Sequence, residues 1–432
     1  MDILNNFANS GQSALGLILF PLIAMLFRPN RVKADLPPDQ TKRSIRIWVV
    51  AVGAQIILAL ILLKVSWFQL FFSGLNSGVL ALQAATTAAT SFVFGYLGGA
   101  DLPFNEITPG GSYILAFRAL PLIIVIGALT ALLSYWRILP WIIGRLSKLF
   151  AKSLNIGGAV ALSAAANIFI GMIEAPLFIR NSIKKLSYSE LFMVMTIGMS
   201  TVAGTVMFLY VTFLADVVPN AVAHIFTASF ISIPAAVLIS AMIVPQVGEP
   251  TPAGAEEVFD YNGPVDAIAQ GGIGAMQMLI GIIALLLTFI ALVFFCNAIL
   301  AQLPEIGSEL LSLERILGWM MAPLCWLMGI PWAEATSAGS LMGIKTILNE
   351  LLAFIRLSEL PPEALSPRSD LIMSYALCGF ANFGSLGILI GGLSTMAPER
   401  REDITRLGLL SIVSGTLATC MTASVIGLIT LA

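Results

Sequence analysis

Apolar residues in this chain come in long unbroken runs rather than in alternation. Runs at about 14–27, 47–63, 113–136, 190–215, 225–244, 273–300, 375–390 and 407–431 approach or exceed the length a helix needs to cross a bilayer, roughly 17–25 residues. Two further stretches keep the apolar character but interrupt it with polar groups. In 164–180, Asn167, Gly171, Glu174, Pro176 and Arg180 fall within one helix length. A carboxylate at that depth costs at least ~2.5 kcal/mol unless it has a task. Gly171 and Pro176 weaken the helix beside it, and the carbonyls so freed are tolerated only against protein or a wet cavity. Basic residues stand on both flanks: Arg137, Arg145, Lys148 and Lys152 before, Lys184 and Lys185 after. A segment that leaves and returns to one side is a re-entrant hairpin. The stretch 335–353 repeats the theme with Lys345, Asn349 and Glu350.

Each hairpin is followed by a span rich in small and hydroxyl residues, Ser200 to Val206 after the first and Gly379 to Ser385 after the second. A further span then closes each half. Interrupted segments at matching places in two halves point to a transporter's binding site. Small residues at these places also suit close helix packing. Aromatic residues among small polar ones at 65–98 (Trp67, Phe71, Phe72) and the amphipathic piece 306–328 (Trp319, Trp326) suit helices lying in the interface plane. The segment 101–111 reads as a turn-rich loop, and 137–152 as a basic exit.

The densest basic cluster, Arg28, Arg31, Lys33, Lys42, Arg43 and Arg46, follows the first span, and Arg400, Arg401 and Arg406 precede the last. By the positive-inside rule both loops are cytoplasmic, so both termini are expected outside. The linker 245–270 holds acids and no Lys or Arg, and only span counting places it inside. The first residues carry no basic n-region, so no cleaved signal peptide is expected. The predicted fold is an all-α polytopic membrane protein with about eight transmembrane helices, two re-entrant hairpins, interfacial helices and an inverted repeat. Its divisions are 1–64 (two N-terminal helices), 65–136 (interfacial and scaffold helix), 137–246 (first repeat), 247–331 (linker, scaffold and interfacial helix) and 332–432 (second repeat).

Composition agrees. The chain is 58% hydrophobic and 11% charged, where soluble domains carry about 25% charged residues. A net charge of −2 says little about partners, and no nucleic-acid partner is expected. One histidine, His224, leaves no multi-histidine metal site and no His-Glu-x-x-His motif. Cys296, Cys325, Cys378 and Cys420 stand singly in apolar runs and read as packing residues without disulfides. No nucleophile–base pair or cofactor loop is visible, so an enzyme is not expected.

From about residue 65 onward the chain resembles the concentrative nucleoside transporter family. Its members carry Ala-Asn-Ile-Phe-x-Gly-Gln-Thr-Glu-Ala-Pro, Leu-Asn-Glu and Gly-Phe-Ala-Asn motifs; here these read Ala166 to Pro176, Leu348 to Glu350 and Gly379 to Asn382. The resemblance implies a homotrimer in the bacterial inner membrane, with a scaffold holding a mobile transport domain. It implies import of a nucleoside driven by sodium or protons, with no cofactor beyond the coupling ion. Glu350, Asn382 and Ser385 match positions that bind ribose, with Glu174 reaching it directly or through water. Val206 and Phe380 match apolar contacts on the base. Asn167 and Thr201 match side chains of the family's sodium site, with Ile170 and Val202 at its carbonyl positions; such oxygen donors suit a hard cation.

Met172-Ile173 departs from the family's Gln-Thr, the polar readers of the base. Losing such partners disfavours a polar base edge by roughly 1–3 kcal/mol per group. The substrate is then a nucleoside with loose base recognition, or another small hydroxylated solute with an apolar end. A membrane sensor or passive channel derived from a transporter is the reading of a different class. Bland readings exist for single residues as well. Glu350 could bridge to Lys345 or Arg356, Asn382 could be an interhelical tie, and Thr201 could bond back to its own helix. Arg118 and Arg180 read as helix-end or snorkelling charges.

Overall fold

The computed structural model describes residues 2–30, 32, 40–106, 111–215, 217–246, 248–252, 261–306 and 310–430. Arg31 and Lys33 of the first basic cluster, and Glu256, Glu257 and Asp260 of the acidic linker, lie outside them. Within them, seven helices are long and apolar enough to cross a membrane, or eight if the bent pair Leu313–Leu327 and Trp332–Ile347 counts as one span. The protein is a multi-pass, all-α membrane protein.

Burial sorts these helices into a core and a shell. The apolar windows of Tyr188–Leu214, Ala221–Ile243 and Pro398–Ile429 are 83–89% buried, those of Thr41–Lys64, Ser66–Gly98 and Pro264–Leu300 only 11–22%. The buried set is also the polar set. Hydroxyls pair across it, Thr196 with Ser414 at 2.8 Å and Ser232 with Thr422 at 3.2 Å, as expected where small hydroxylated residues bring helices close. The shell helices present apolar side chains outward, among them Ile280, Leu287 and Phe294.

The core contains the same order of elements twice. The first hairpin descends as Gly158–Asn167, turns, and returns through a 3₁₀ turn, Ala175–Ile179, and the short helix Arg180–Ile183. Ten helical residues rise ~15 Å at 1.5 Å each, half of a ~30 Å hydrocarbon core, so this arm is too short to cross. The first broken helix follows as Tyr188–Ser200 and Gly204–Leu214, then the long helix Ala221–Ile243. The second hairpin is Trp332–Ile347 and Glu350–Ser358; the second broken helix is Pro367–Leu377 and Phe383–Met396; the long helix is Arg401–Ile429.

Local sequence explains where these pieces start. Ser187 and Glu190 form a reciprocal capping box, and Ser366 caps the next first half ahead of Pro367. The two breaks abut one another, because Gly379 lies so close to Met199 and Ser200 that a Cβ there would sit 3.1 Å from their backbone atoms.

Three expectations change. The basic stretch after residue 136 is no loop: Ile138–Leu154 is an amphipathic helix that buries Leu139, Ile143, Phe150 and Leu154 and points Lys148 and Lys152 outward. The piece expected from 306 starts as a helix only at Leu313, capped by Ser312. The 65–98 region is one continuous helix, Ser66–Phe94, with a 3₁₀ turn to Gly98. Its length and apolar character meet the requirement for crossing, so the in-plane placement rests on the sequence pattern alone.

Candidate solute and ion site

Both hairpin tips and the second halves of both broken helices converge on one cavity of about 130 Å³. All eight residues matched to solute binding line it: Met172, Ile173, Glu174, Val206, Glu350, Phe380, Asn382 and Ser385. Its fifth wall is the middle of Pro264–Leu300, through Met278, Ile282, Leu285 and Phe289.

The second hairpin supplies the polar end. Its two arms are parted at Leu348 and Asn349. Asn349 caps the returning arm, its Oδ1 accepting from the Leu352 amide at 2.9 Å, which puts Glu350 in the first turn facing the cavity. Each Glu350 oxygen has one protein donor. Tyr210 Oη donates to Oε1 at 2.7 Å and Asn382 Nδ2 to Oε2 at 2.9 Å. Asn382 is itself the cap of Phe383–Met396, accepting from the Ser385 amide at 2.7 Å. Carboxylate, amide and helix start are thus fixed by one another, and the second lone pair of each carboxylate oxygen is left for a ligand donor. Such an array suits vicinal hydroxyls.

The bland readings fare differently. Among the described residues Glu350 makes no ion pair: Lys345 bonds elsewhere, and Arg356 pairs with Glu359 on the surface. Asn382 does tie two elements together, and does so from the cavity wall. Arg118 donates to the Tyr96 carbonyl and the Ser112 hydroxyl, and Arg180 is exposed.

The first hairpin supplies the apolar end. Gly171 makes its turn at φ 109°, where a side chain is strained, and a Cβ there would stand 2.9 Å from Ala203 Cβ and 3.2 Å from Glu174 Oε2. Gly171→Ala is therefore expected to destabilise the tip by about 1–3 kcal/mol and to cut transport at unchanged surface expression. Transport and thermal stability equal to the parent protein would show that the tip tolerates the substitution. Past the turn, Met172 packs beside Gly198 and Ile173 beside Gly392, yet both side chains line the cavity. Glu174 faces this cavity and a second of about 310 Å³, which runs toward Tyr261, Gly271 and Gln277.

Asn167 and Thr201 also meet. Asn167 Nδ2 donates to Thr201 Oγ1 at 2.5 Å and to the Ile197 carbonyl at 3.2 Å. Thr201 bonds back to its own helix, donating to Ile197 at 2.8 Å, so that reading holds and does not exclude the other. Val202 exchanges hydrogen bonds with the Ser229 hydroxyl. Asn167 Oδ1 is buried with no hydrogen-bond partner, an uncommon state for a buried acceptor.

Sequence reasoning missed Tyr210 and the wall from Pro264–Leu300, and it singled out Asn349 without its capping role. Tyr210 was detectable: it stands four residues after Val206, hence on the same helix face, and is a hydroxyl in an apolar run.

Family models described as Na+ dependent nucleoside transporter match at residues 15–97 (N-terminus) and 224–427 (C-terminus), and one described as nucleoside recognition matches at 116–217. The nucleoside permease NupC of Helicobacter pylori is 34% identical over 424 residues, covering 96% of this chain and 97% of its own. The transporter YutK of Bacillus subtilis is also 34% identical, over 96% of this chain and 98% of its own. This chain belongs to the concentrative nucleoside transporter family. Among solved structures, CNTnw in an inward-facing substrate-bound state superposes with a TM-score of 0.84 at 36% identity, covering 96% of this chain and 98% of that one. A CNTnw variant in an outward-facing state scores 0.85 at 34% identity, covering 98% and 97%. This member of the family shares its fold with both ends of an alternating-access cycle.

Proposed function

We propose that this transporter imports a nucleoside or nucleoside-like solute, coupled to sodium, by alternating access of a mobile domain built from the two hairpins and broken helices. The observation that carries the solute reading is the Tyr210–Glu350–Asn382 array at one end of a cavity whose other end is apolar. Family membership supports the same class of solute. The unpartnered Asn167 oxygen beside the Thr201 hydroxyl supports sodium as the co-transported ion, since a hard cation takes neutral oxygens. Met172 and Ile173 favour a second reading, in which the far end of the solute is apolar rather than a polar base. A homotrimer in the bacterial inner membrane with both termini outside belongs to the same proposal. The outward apolar face of Pro264–Leu300 is available to lipid or to neighbouring copies.

Uptake of uridine and adenosine into proteoliposomes tests the coupling ion. Replacing sodium by choline is expected to abolish accumulation, and a protonophore to leave it unchanged. Asn167→Ala should raise the sodium concentration for half-maximal uptake about tenfold, the equivalent of ~1.4 kcal/mol. Uptake indifferent to choline but stopped by the protonophore would overturn sodium in favour of protons.

A further inference from the structure

Lys345 stands in the first arm of the second hairpin, completely buried. Its ammonium donates to the Ala376 carbonyl at 2.7 Å and to the Thr419 hydroxyl at 2.9 Å, and among the described residues no carboxylate lies within ion-pair distance. A buried ammonium in an apolar helix whose hydrogen-bond partners are both neutral is retained for a reason.

The arrangement matches that of the first half in two elements, the hairpin arm and the half-helix carbonyl, and takes its hydroxyl from a different helix. There, Asn167 at the end of the first hairpin's first arm reaches a carbonyl near the end of the first half-helix, Ile197, and the hydroxyl of Thr201. Here, Lys345 near the end of the second hairpin's first arm reaches a carbonyl near the end of the corresponding half-helix, Ala376, and a hydroxyl from the following long helix. Broken helices expose such oxygens to cations. In the first half one amide oxygen is left without a partner; in the second, an ammonium already occupies the oxygens.

We infer that the Lys345 ammonium is the resident, tethered cation of the second repeat, so that only the first repeat takes an ion from solution. The inference rests on the symport reading above. Charge supports it independently. Glu174 and Glu350 face the solute cavity and Lys345 lies behind it, which leaves one negative charge uncompensated when all three are ionised. One monovalent cation bound with the solute neutralises this set of three groups; two would leave it positive.

The test is the null point of flux in proteoliposomes clamped at zero membrane potential. An inward sodium gradient of about tenfold is balanced by an outward uridine gradient of about tenfold if one cation moves, and of about a hundredfold if two do. The unmodified protein is expected at tenfold, and a null point near a hundredfold overturns the inference. Lys345→Gln replaces the ammonium by a neutral oxygen like that of Asn167, and should move the null point toward a hundredfold. A transporting Lys345→Gln protein that stays at tenfold makes Lys345 a structural tie only, and also overturns it. If that variant fails to insert, the null point of the unmodified protein decides alone. Uridine flux that no cation gradient drives would instead sink the symport reading, and a proton gradient in place of sodium gives the same count if the ion has been misassigned.

Discussion

Glu350→Gln and Asn382→Ala are each expected to weaken nucleoside binding by about tenfold to a hundredfold and to leave a folded, inserted protein. The magnitude follows from losing one hydrogen bond to a charged group, about 1.5–3 kcal/mol. In Glu350→Gln the shape is kept, and the new amide can accept from Asn382 while the Tyr210 hydroxyl turns to accept from it, so the array survives without its charge. A ribose hydroxyl then meets a weaker acceptor. Asn382→Ala has a second cost, because the side chain also caps Phe383–Met396; losing a cap is worth about 1 kcal/mol. Its thermal midpoint should therefore fall while that of Glu350→Gln stays close to the parent value. Titration calorimetry with uridine, paired with thermal unfolding in detergent, separates the two effects. Near-parental affinity in either folded variant would mean that the polar end of the cavity does not hold the solute.

That array shows what a sequence can and cannot disclose about such a site. Glu350 and Asn382 were legible because a bilayer makes polar groups expensive, so each one found in an apolar run demands a partner. Tyr210, the partner itself, was passed over because an aromatic ring in an apolar helix looks like packing until its hydroxyl is placed 2.7 Å from a carboxylate. The wall from Pro264–Leu300 had no signal at all. Met278, Ile282, Leu285 and Phe289 share one face, but the helix is apolar all round and nothing marks which face turns inward. The amphipathic helix Ile138–Leu154 did have a signal. Leu139, Ile143, Phe150 and Leu154 recur at helical spacing, but the basic residues between them dominate the pattern and read as a loop. Hairpins and breaks were the most legible features, since glycine, proline and charge inside a spanning run each oppose a plain helix.

Restoring polar groups at the first hairpin's tip, by Met172→Gln together with Ile173→Thr, is expected to strengthen uridine and adenosine binding and to sharpen discrimination between them. Both native side chains line the cavity within two residues of Glu174, so they face the same solute that Glu174 faces. Neither can donate or accept a strong hydrogen bond, which leaves a base edge desolvated and unpaired at a cost of roughly 1–3 kcal/mol per group. One recovered hydrogen bond, ~1.4 kcal/mol, is a tenfold gain in affinity, and the pair together should exceed it for at least one base. Opposing this, Met172 is 7% exposed and packs beside Gly198. Glutamine has nearly methionine's length and fits that space, but its stem loses part of the contact. Ile173→Thr removes one carbon and puts a hydroxyl in place of another beside Gly392, at a cost no smaller than the about 0.5–1.5 kcal/mol of Ile→Val. A modest drop in thermal stability alongside tighter binding is therefore the expected pairing. The native protein, conversely, should bind a ribosyl compound with an apolar aglycone at least as well as uridine. Competition binding with uridine, adenosine and such an apolar riboside, on parent and double variant, measures all of this together. Unchanged affinity for every ligand in a well-folded double variant would show that the hairpin tip packs against its neighbours and does not read the base.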